Sequence, residues 1–153
     1  MKPFVYRFER KLGLVRQEEQ AVRLELQQAM AERDRIVEEL ERLKNRIACI
    51  EDAIRLHWGN ILVPEVGLQK AYLPILKERF HILTDDLQAA EEKVEFIRRK
   101  VVAKKRETMT FEKLREHDWQ EYLYDLNREE QKIIDELAIT ARSREIIQRG
   151  TGS

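Results

Sequence analysis

The sequence is poor in residues that interrupt helices or form cross-links. Glycine occurs 5 times and proline 3 times in 153 residues, so turns should be few and regular segments long. The single cysteine, Cys49, excludes a disulfide within the chain and a multi-cysteine metal site. The lack of an internal disulfide is typical of proteins in a reducing compartment. Neither a signal peptide nor a run of about 18 uncharged apolar residues is found. We therefore expect a cytoplasmic protein.

An excess of charge of one sign is also absent. Lys+Arg and Asp+Glu each number 29, so long-range attraction to nucleic acid or to an anionic membrane is not expected. Charged residues nevertheless make up 38% of the chain, against roughly 25% in ordinary globular domains. So high a charged fraction, with so little glycine and proline, is typical of long helices with a large surface.

Apolar residues recur at alternating steps of three and four in two parts of the chain. The first series covers residues 5–54 and is interrupted only by Glu19 and Arg33, and the second covers residues 73–137. An average step of 3.5 keeps an apolar stripe facing one partner helix, as in a coiled coil. Between the two series, residues 58–67 hold the only cluster of glycine and proline before the C terminus.

This pattern predicts an all-α fold of two long helices in an antiparallel coiled-coil hairpin. One domain is expected over residues 1–148. The expected segments are a helix over about 4–58, a loop over about 59–68, a helix over about 69–147 and a flexible tail over 149–153. Pro74 is expected in the first turn of the second helix, where a missing amide N–H does no harm. If that helix begins near Gly67 instead, Pro74 should kink it.

The second helix should extend beyond the first. A fold-back near Val63 pairs Val5 with the region of Tyr122, so no first-helix residues remain to cover the apolar pattern that follows. Because an exposed apolar stripe is normally buried in a partner, we expect this terminal end to be a docking surface. The alternative is that the end frays or self-associates.

No pattern of residues indicates catalysis or metal binding. The three histidines lie far apart and none has a second histidine or a cysteine four residues away. Nucleotide-binding loops and nucleophile motifs are also missing. We expect no catalytic residues, no cofactor and no metal. The basic run at 98–106 is interpreted as a solvated helix face, with a protein partner as the alternative. Trp58 is expected to close the hairpin tip, and Trp119, Tyr122 and Tyr124 are expected to contact a partner.

The order of several segments resembles the FliJ family of flagellar export proteins. The segments that carry the resemblance are residues 4–12 with 16–19, Ala71-Tyr72-Leu73 with Leu76, Lys104-Lys105-Arg106 with 111–116, and residues 135–138. The chain departs from the family's usual second helix at Pro74, and Arg79 stands where a small residue is expected.

The resemblance implies a non-enzymatic, stalk-like antiparallel coiled coil at the base of the flagellum, in the cytoplasmic type III export apparatus. The partners would be the hexameric export ATPase, the cytoplasmic domain of a membrane protein of the export gate, and export chaperones. Neither nucleic acid nor membrane insertion is implied, and the chain is expected to be a monomer by itself. The residues expected to contact the ATPase are Phe4, Phe8, Leu123, Leu126, Ile133 and Leu137. Those expected to contact the gate or chaperones are Leu43, Tyr72 and Leu76.

Three alternatives remain open from the sequence. The chain could be a free-standing coiled-coil adaptor or spacer, or the equivalent stalk of a virulence secretion system. A parallel homodimeric coiled coil would place the glycine- and proline-containing segment in the middle of a long helix pair instead of at a hairpin tip.

Overall fold

The computed structural model describes residues 2–57 and 64–152. Within these residues the secondary structure consists of two helices, α1 (Glu9–Leu56) and α2 (Pro64–Gly150), and no strand is present. The predicted all-α fold is therefore confirmed. The expected role of Trp58 at the hairpin tip, and residues 59–63 of the expected loop, lie outside the described residues.

The first helix begins later than its apolar pattern suggested. Residues 2–8 are not helical, and α1 starts at Glu9, whose amide donates to the carbonyl oxygen of Tyr6 at 3.2 Å. The acidic side chain of Glu9 lies in the first turn, where the helix dipole favours a negative charge. Val5, expected at the start of the seam, is 80% exposed. The buried side chain in this segment is that of Tyr6.

The second helix begins earlier than expected, at Pro64. Proline suits the first position of a helix, because the amide that it lacks would have no partner there. As a result Pro74 lies inside α2, and its expected placement in the first turn is wrong. Pro74 cannot donate a hydrogen bond to the preceding turn. At its other end α2 extends to Gly150, so the first two residues of the expected tail are helical.

The helices contribute to two compact units. Unit 1 contains residues 2–16 and 106–152, and unit 2 contains residues 17–105. Each unit includes a stretch of both helices. The expectation that residues 1–148 form a single domain stays a prediction.

In unit 2 the helices run antiparallel. Lys104 Nζ lies 2.7 Å from Glu18 Oε2, near the start of the α1 stretch, whereas Lys77 Nζ lies 3.3 Å from Glu51 Oε1, near its end. These ion pairs are partly exposed, and such pairs contribute only about 0–1 kcal/mol each. Most of the stabilisation comes from the buried seam side chains, which are Ala29, Ile36, Leu76, Leu83, Val94 and Ile97. The hairpin pairing is thus confirmed.

Unit 1 is held by a smaller core with the same antiparallel order. Leu12 and Val15 are fully buried, and burial of such side chains contributes about 1.5–3 kcal/mol each. Arg115 Nε lies 3.2 Å from Glu9 Oε2, and Arg16 Nη2 lies 3.2 Å from Glu112 Oε1. Pairing of the first residues of α1 with residues 112–115 agrees with the register that the sequence predicts.

The two polar residues of the first seam are neutralised within their own helix. Glu19 is buried, and its carboxylate accepts a hydrogen bond from Arg23 Nη2 at 2.8 Å. Arg33 is half-buried and donates to Asp34 Oδ1 at 3.0 Å. Neighbours on α1 therefore compensate the burial of both charges.

Candidate docking surfaces

Three aromatic rings attach the N-terminal segment of the chain to α2 in unit 1. The ring centroid of Phe4 lies 5.1 Å from that of Trp119 and 5.5 Å from that of Tyr122. Trp119 and Tyr122 stack on each other at 5.6 Å, and the Tyr122 hydroxyl donates to the carbonyl oxygen of Lys2 at 2.9 Å. Trp119 and Tyr122, expected to contact a partner, therefore contact this segment. Tyr124 is exposed.

A second group of rings, which includes Phe111 of α2, secures the same segment. Tyr6 is only 4% exposed, and its hydroxyl donates to the carbonyl oxygen of Phe111 at 2.9 Å. Phe8 packs edge-on against Tyr6 and Phe111, with centroid distances of 5.9 and 6.0 Å. Burial raises the pKa of the Tyr6 phenol, and the charge of Asp118 raises it further. Tyr6 is therefore neutral at pH 7 and acts as a hydrogen-bond donor.

Phe4 and Phe8, expected at the ATPase contact, are thus half-buried within unit 1. The alternation of aromatic residues at 4, 6 and 8 is the sequence signal for this arrangement. A period of two is typical of an extended segment. In the sequence, only steps of three and four, which are typical of a helix, were considered, and this alternation was therefore not used.

Beyond the N-terminal segment, the end of α2 is uncovered. Leu123 and Leu126 are half-buried, and every residue from 127 to 152 is exposed. Ile133 is 52% exposed and Leu137 is 64% exposed. The predicted exposed apolar end is therefore present. Other exposed apolar side chains of this end, which the candidate set did not include, are Ile134, Ile139, Ile146 and Ile147.

The three residues expected to contact the export gate or chaperones lie together in unit 2. Leu43, Tyr72 and Leu76 line one open groove between α1 and α2, with a volume of about 390 Å³. Its other lining residues are Glu39, Arg42, Arg46, Ile75, Arg79 and Leu83. The groove therefore combines an apolar floor with three arginine side chains and one carboxylate.

The three candidates differ in how far a partner can reach them. Leu76 is 5% exposed and forms part of the floor, Leu43 is half-buried, and Tyr72 is exposed. The guanidinium of Arg46 lies 5.3 Å from the centroid of the Tyr72 ring, within the range of a cation–π contact. Arg79, which stands where a small residue was expected, is 3.2 Å from Glu39 Oε1. The long side chain of Arg79 thus connects α2 to α1 across the groove.

One group of potential metal ligands occurs in the described part of the chain. His117, Asp118 and Glu121 place ligand atoms within 4.8 Å of one another on α2. In the sequence, a second histidine or cysteine was sought near each histidine. This group was not found in that way, because the other potential ligands near His117 are carboxylates. All three side chains are at least partly exposed. Over the same residues, neither helix has a stretch long and apolar enough to cross a membrane.

The fold and these surfaces define a class of protein, a two-helix antiparallel coiled coil with surfaces suited to protein contacts. A family model described as flagellar FliJ protein matches residues 4–146. The chain therefore belongs to the FliJ family, and the resemblance found in the sequence is confirmed. Membership makes it a component of the flagellar export apparatus. Searches of curated proteins and of solved structures found no match.

Proposed function

We propose that this chain is a non-enzymatic stalk of the flagellar type III export apparatus. In this role its terminal end docks in the ring of the hexameric export ATPase and couples that ring to the export gate. It works through protein contacts in the cytoplasm at the base of the flagellum, as a monomer by itself. The family match favours this role over a generic adaptor and over a virulence system.

The observation that carries the proposal is the uncovered end of α2. Ile133 and Leu137 lie four residues apart, on the same side of the helix, and both are more than half exposed. Exposed apolar residues in such a row normally mark a contact surface. Leu126 and Leu123 continue the row toward the N-terminal segment, and Phe4 and Phe8 contribute by holding that segment against α2.

The groove of unit 2 supports the second contact. Tyr72 on its rim and Leu43 and Leu76 inside it suit an apolar segment of the gate's cytoplasmic domain or of an export chaperone. Arg42, Arg46 and Arg79 favour acidic residues beside that segment, because Glu39 is the one carboxylate among the described residues that line the groove. Escort of chaperones would use the same groove.

The test is the activity of the cognate export ATPase with and without this chain. We expect the wild type to stimulate ATP hydrolysis, and the double variant Ile133→Asp with Leu137→Asp to lose stimulation at equal concentration. Two carboxylates in an apolar contact should weaken docking at least tenfold, or by about 1.4 kcal/mol. The helix should remain folded, because both side chains are exposed.

The matched control is Leu24→Asp with Val102→Asp, which changes two exposed apolar residues of unit 2. This control should stimulate as the wild type does. If the terminal double variant stimulates the ATPase normally, docking through the end of α2 is refuted.

A further inference from the structure

The outer face of α2 in unit 2 carries a second line of apolar residues, separate from the buried seam. One apolar residue occurs at every seventh position, and all are exposed. We name this set the outer stripe, which consists of Leu68, Ile75, Ile82, Ala89, Phe96 and Ala103. Its four large side chains are 48% to 73% exposed. At 1.5 Å per residue the outer stripe is roughly 50 Å long.

The spacing of the outer stripe identifies the shape of its occupant. At about 100° per residue, the stripe lies roughly 130° around α2 from the seam that contacts α1. A repeat of seven residues matches the repeat of the seam, so the stripe keeps a constant position relative to α1. A second α-helix that joins the supercoil can follow such a line along its whole length. A flat surface could follow it for only a few turns.

The first heptad of the outer stripe already has the form of a coiled-coil hole. In knobs-into-holes packing, one side chain inserts between four residues of the facing helix. Leu68, Ala71, Tyr72 and Ile75 have the required spacing of three, four and seven residues, and together with Gln69 they line an open apolar depression of about 440 Å³. This depression fits a large apolar side chain from another helix.

Charge on the two edges of the outer stripe identifies the chemistry of that helix. On the edge next to α1, Arg79 and Lys93 are paired with glutamates of α1 at 3.2 and 3.9 Å. The far edge presents Glu78, Asp85 and Glu92 at seven-residue intervals, and none of the three forms an ion pair within the described residues. At the next position Arg99, paired with Glu95 at 3.8 Å, ends this acidic row. A partner helix with lysine or arginine along one edge would neutralise this row.

We infer that the outer stripe binds an α-helix of a partner protein that has apolar residues in heptad spacing and a basic edge. A second copy of this chain fits less well. In an antiparallel pair the row of Glu78, Asp85 and Glu92 would face itself. In a parallel pair the row would face Arg79, Asp86 and Lys93 of the other copy; Asp86 would repel Asp85, and Arg79 and Lys93 are already paired with glutamates of α1. An anionic membrane is also disfavoured, because the same carboxylates flank the stripe.

The partner helix would cover Tyr72 and Ile75, which also line the groove. If the proposed gate contact is made there, the two partners compete, and this consequence rests on the proposed function. Binding to the remainder of the outer stripe is independent of it.

The probe is a designed helical peptide of about 35 residues, long enough for the stripe, with leucine in heptad spacing and lysine along one edge. Its charge-reversed twin carries glutamate along that edge. We expect the wild-type chain to bind the lysine peptide at least tenfold more tightly than the glutamate peptide by titration calorimetry, with weaker binding at high salt. Ile82→Glu should weaken binding of the lysine peptide at least tenfold. Val102→Glu, an exposed change on another face of α2, should not.

The decisive variant reverses the acidic row, with Glu78→Lys, Asp85→Lys and Glu92→Lys together. It should prefer the glutamate peptide. A control with the same change in net charge, Glu129→Lys, Glu136→Lys and Glu145→Lys, lies on the uncovered end and should keep the wild-type preference.

The inference is overturned if neither peptide binds, or if reversal of the acidic row leaves the preference unchanged. It is also overturned if the mass of the chain in solution is that of a dimer that Ile82→Glu dissociates, because a second copy would then occupy the stripe. The proposed stalk role is tested separately, since Ile82→Glu should still stimulate the ATPase.

Discussion

The buried hydroxyl of Tyr6 offers a sharp test of how the N-terminal segment is held. Tyr6→Phe removes the hydrogen bond to the Phe111 carbonyl, which is 2.9 Å long, and leaves the ring in place. A hydrogen bond of this kind contributes about 0.5–1.5 kcal/mol to stability. We therefore expect the free energy of unfolding at pH 7 to fall by about 1 kcal/mol, measured by urea unfolding followed by circular dichroism.

The same residue predicts a dependence on pH. The pKa of Tyr6 in the folded chain is raised above 10, the ordinary value for tyrosine, mainly because the phenol is buried. The folded state therefore retains the proton to a higher pH than the unfolded state. The stabilising contribution of Tyr6 is complete below pH of about 10 and is lost as the pH rises through the folded pKa. Tyr6→Phe should lack this loss, so wild type and variant should converge in stability at high pH.

Tyr124 provides the matched control, because its side chain is 68% exposed. Tyr124→Phe should change the free energy of unfolding by less than about 0.5 kcal/mol and should keep the wild-type dependence on pH. If Tyr6→Phe is as stable as the wild type at pH 7 and loses stability in parallel with it at high pH, the hydrogen bond does not hold the segment.

Two further predictions concern the helices themselves. Leu12→Ala should lower the free energy of unfolding by about 2–5 kcal/mol, because Leu12 is fully buried and the change leaves a cavity. The control Leu14→Ala, at a site that is 49% exposed, should lower it by less than about 1 kcal/mol. Equal effects of the two changes would contradict the assignment of Leu12 to the buried seam. Pro74→Ala should raise the free energy of unfolding by about 1–3 kcal/mol, because it supplies an amide donor inside α2. A lower urea midpoint for this variant would mean that α2 needs the proline.

Much of the helix pairing follows from periodicity alone. Apolar residues at steps of three and four over residues 5–54 and 73–137, separated by one cluster of glycine and proline, allow few arrangements other than two helices folded back on each other. The unequal lengths of the two series also predicted the uncovered end of α2. Both inferences depend on local pattern and chain length, which a sequence displays directly.

The helix ends were harder to predict because tertiary contacts compete with the local pattern there. Val5 and Phe8 fit the seam steps, yet Tyr6 is the buried residue, because its hydroxyl donates to the Phe111 carbonyl oxygen and its ring packs against Phe8. Pro74 was expected to start a helix, but Pro64 takes that position and the helix continues through Pro74. A helix of 87 residues tolerates one missing hydrogen bond.

Surfaces formed by residues distant in sequence depend on how the two helices pair. The sequence determines that the chain forms two long coiled-coil helices and belongs to the FliJ family, because periodicity and the order of motifs are properties of the linear chain. Tertiary structure decides that Leu43, Tyr72 and Leu76 share one groove, and that Leu76 forms its floor. It also decides which apolar residues outside the seam stay exposed, since exposure depends on whether another element covers a given helix face.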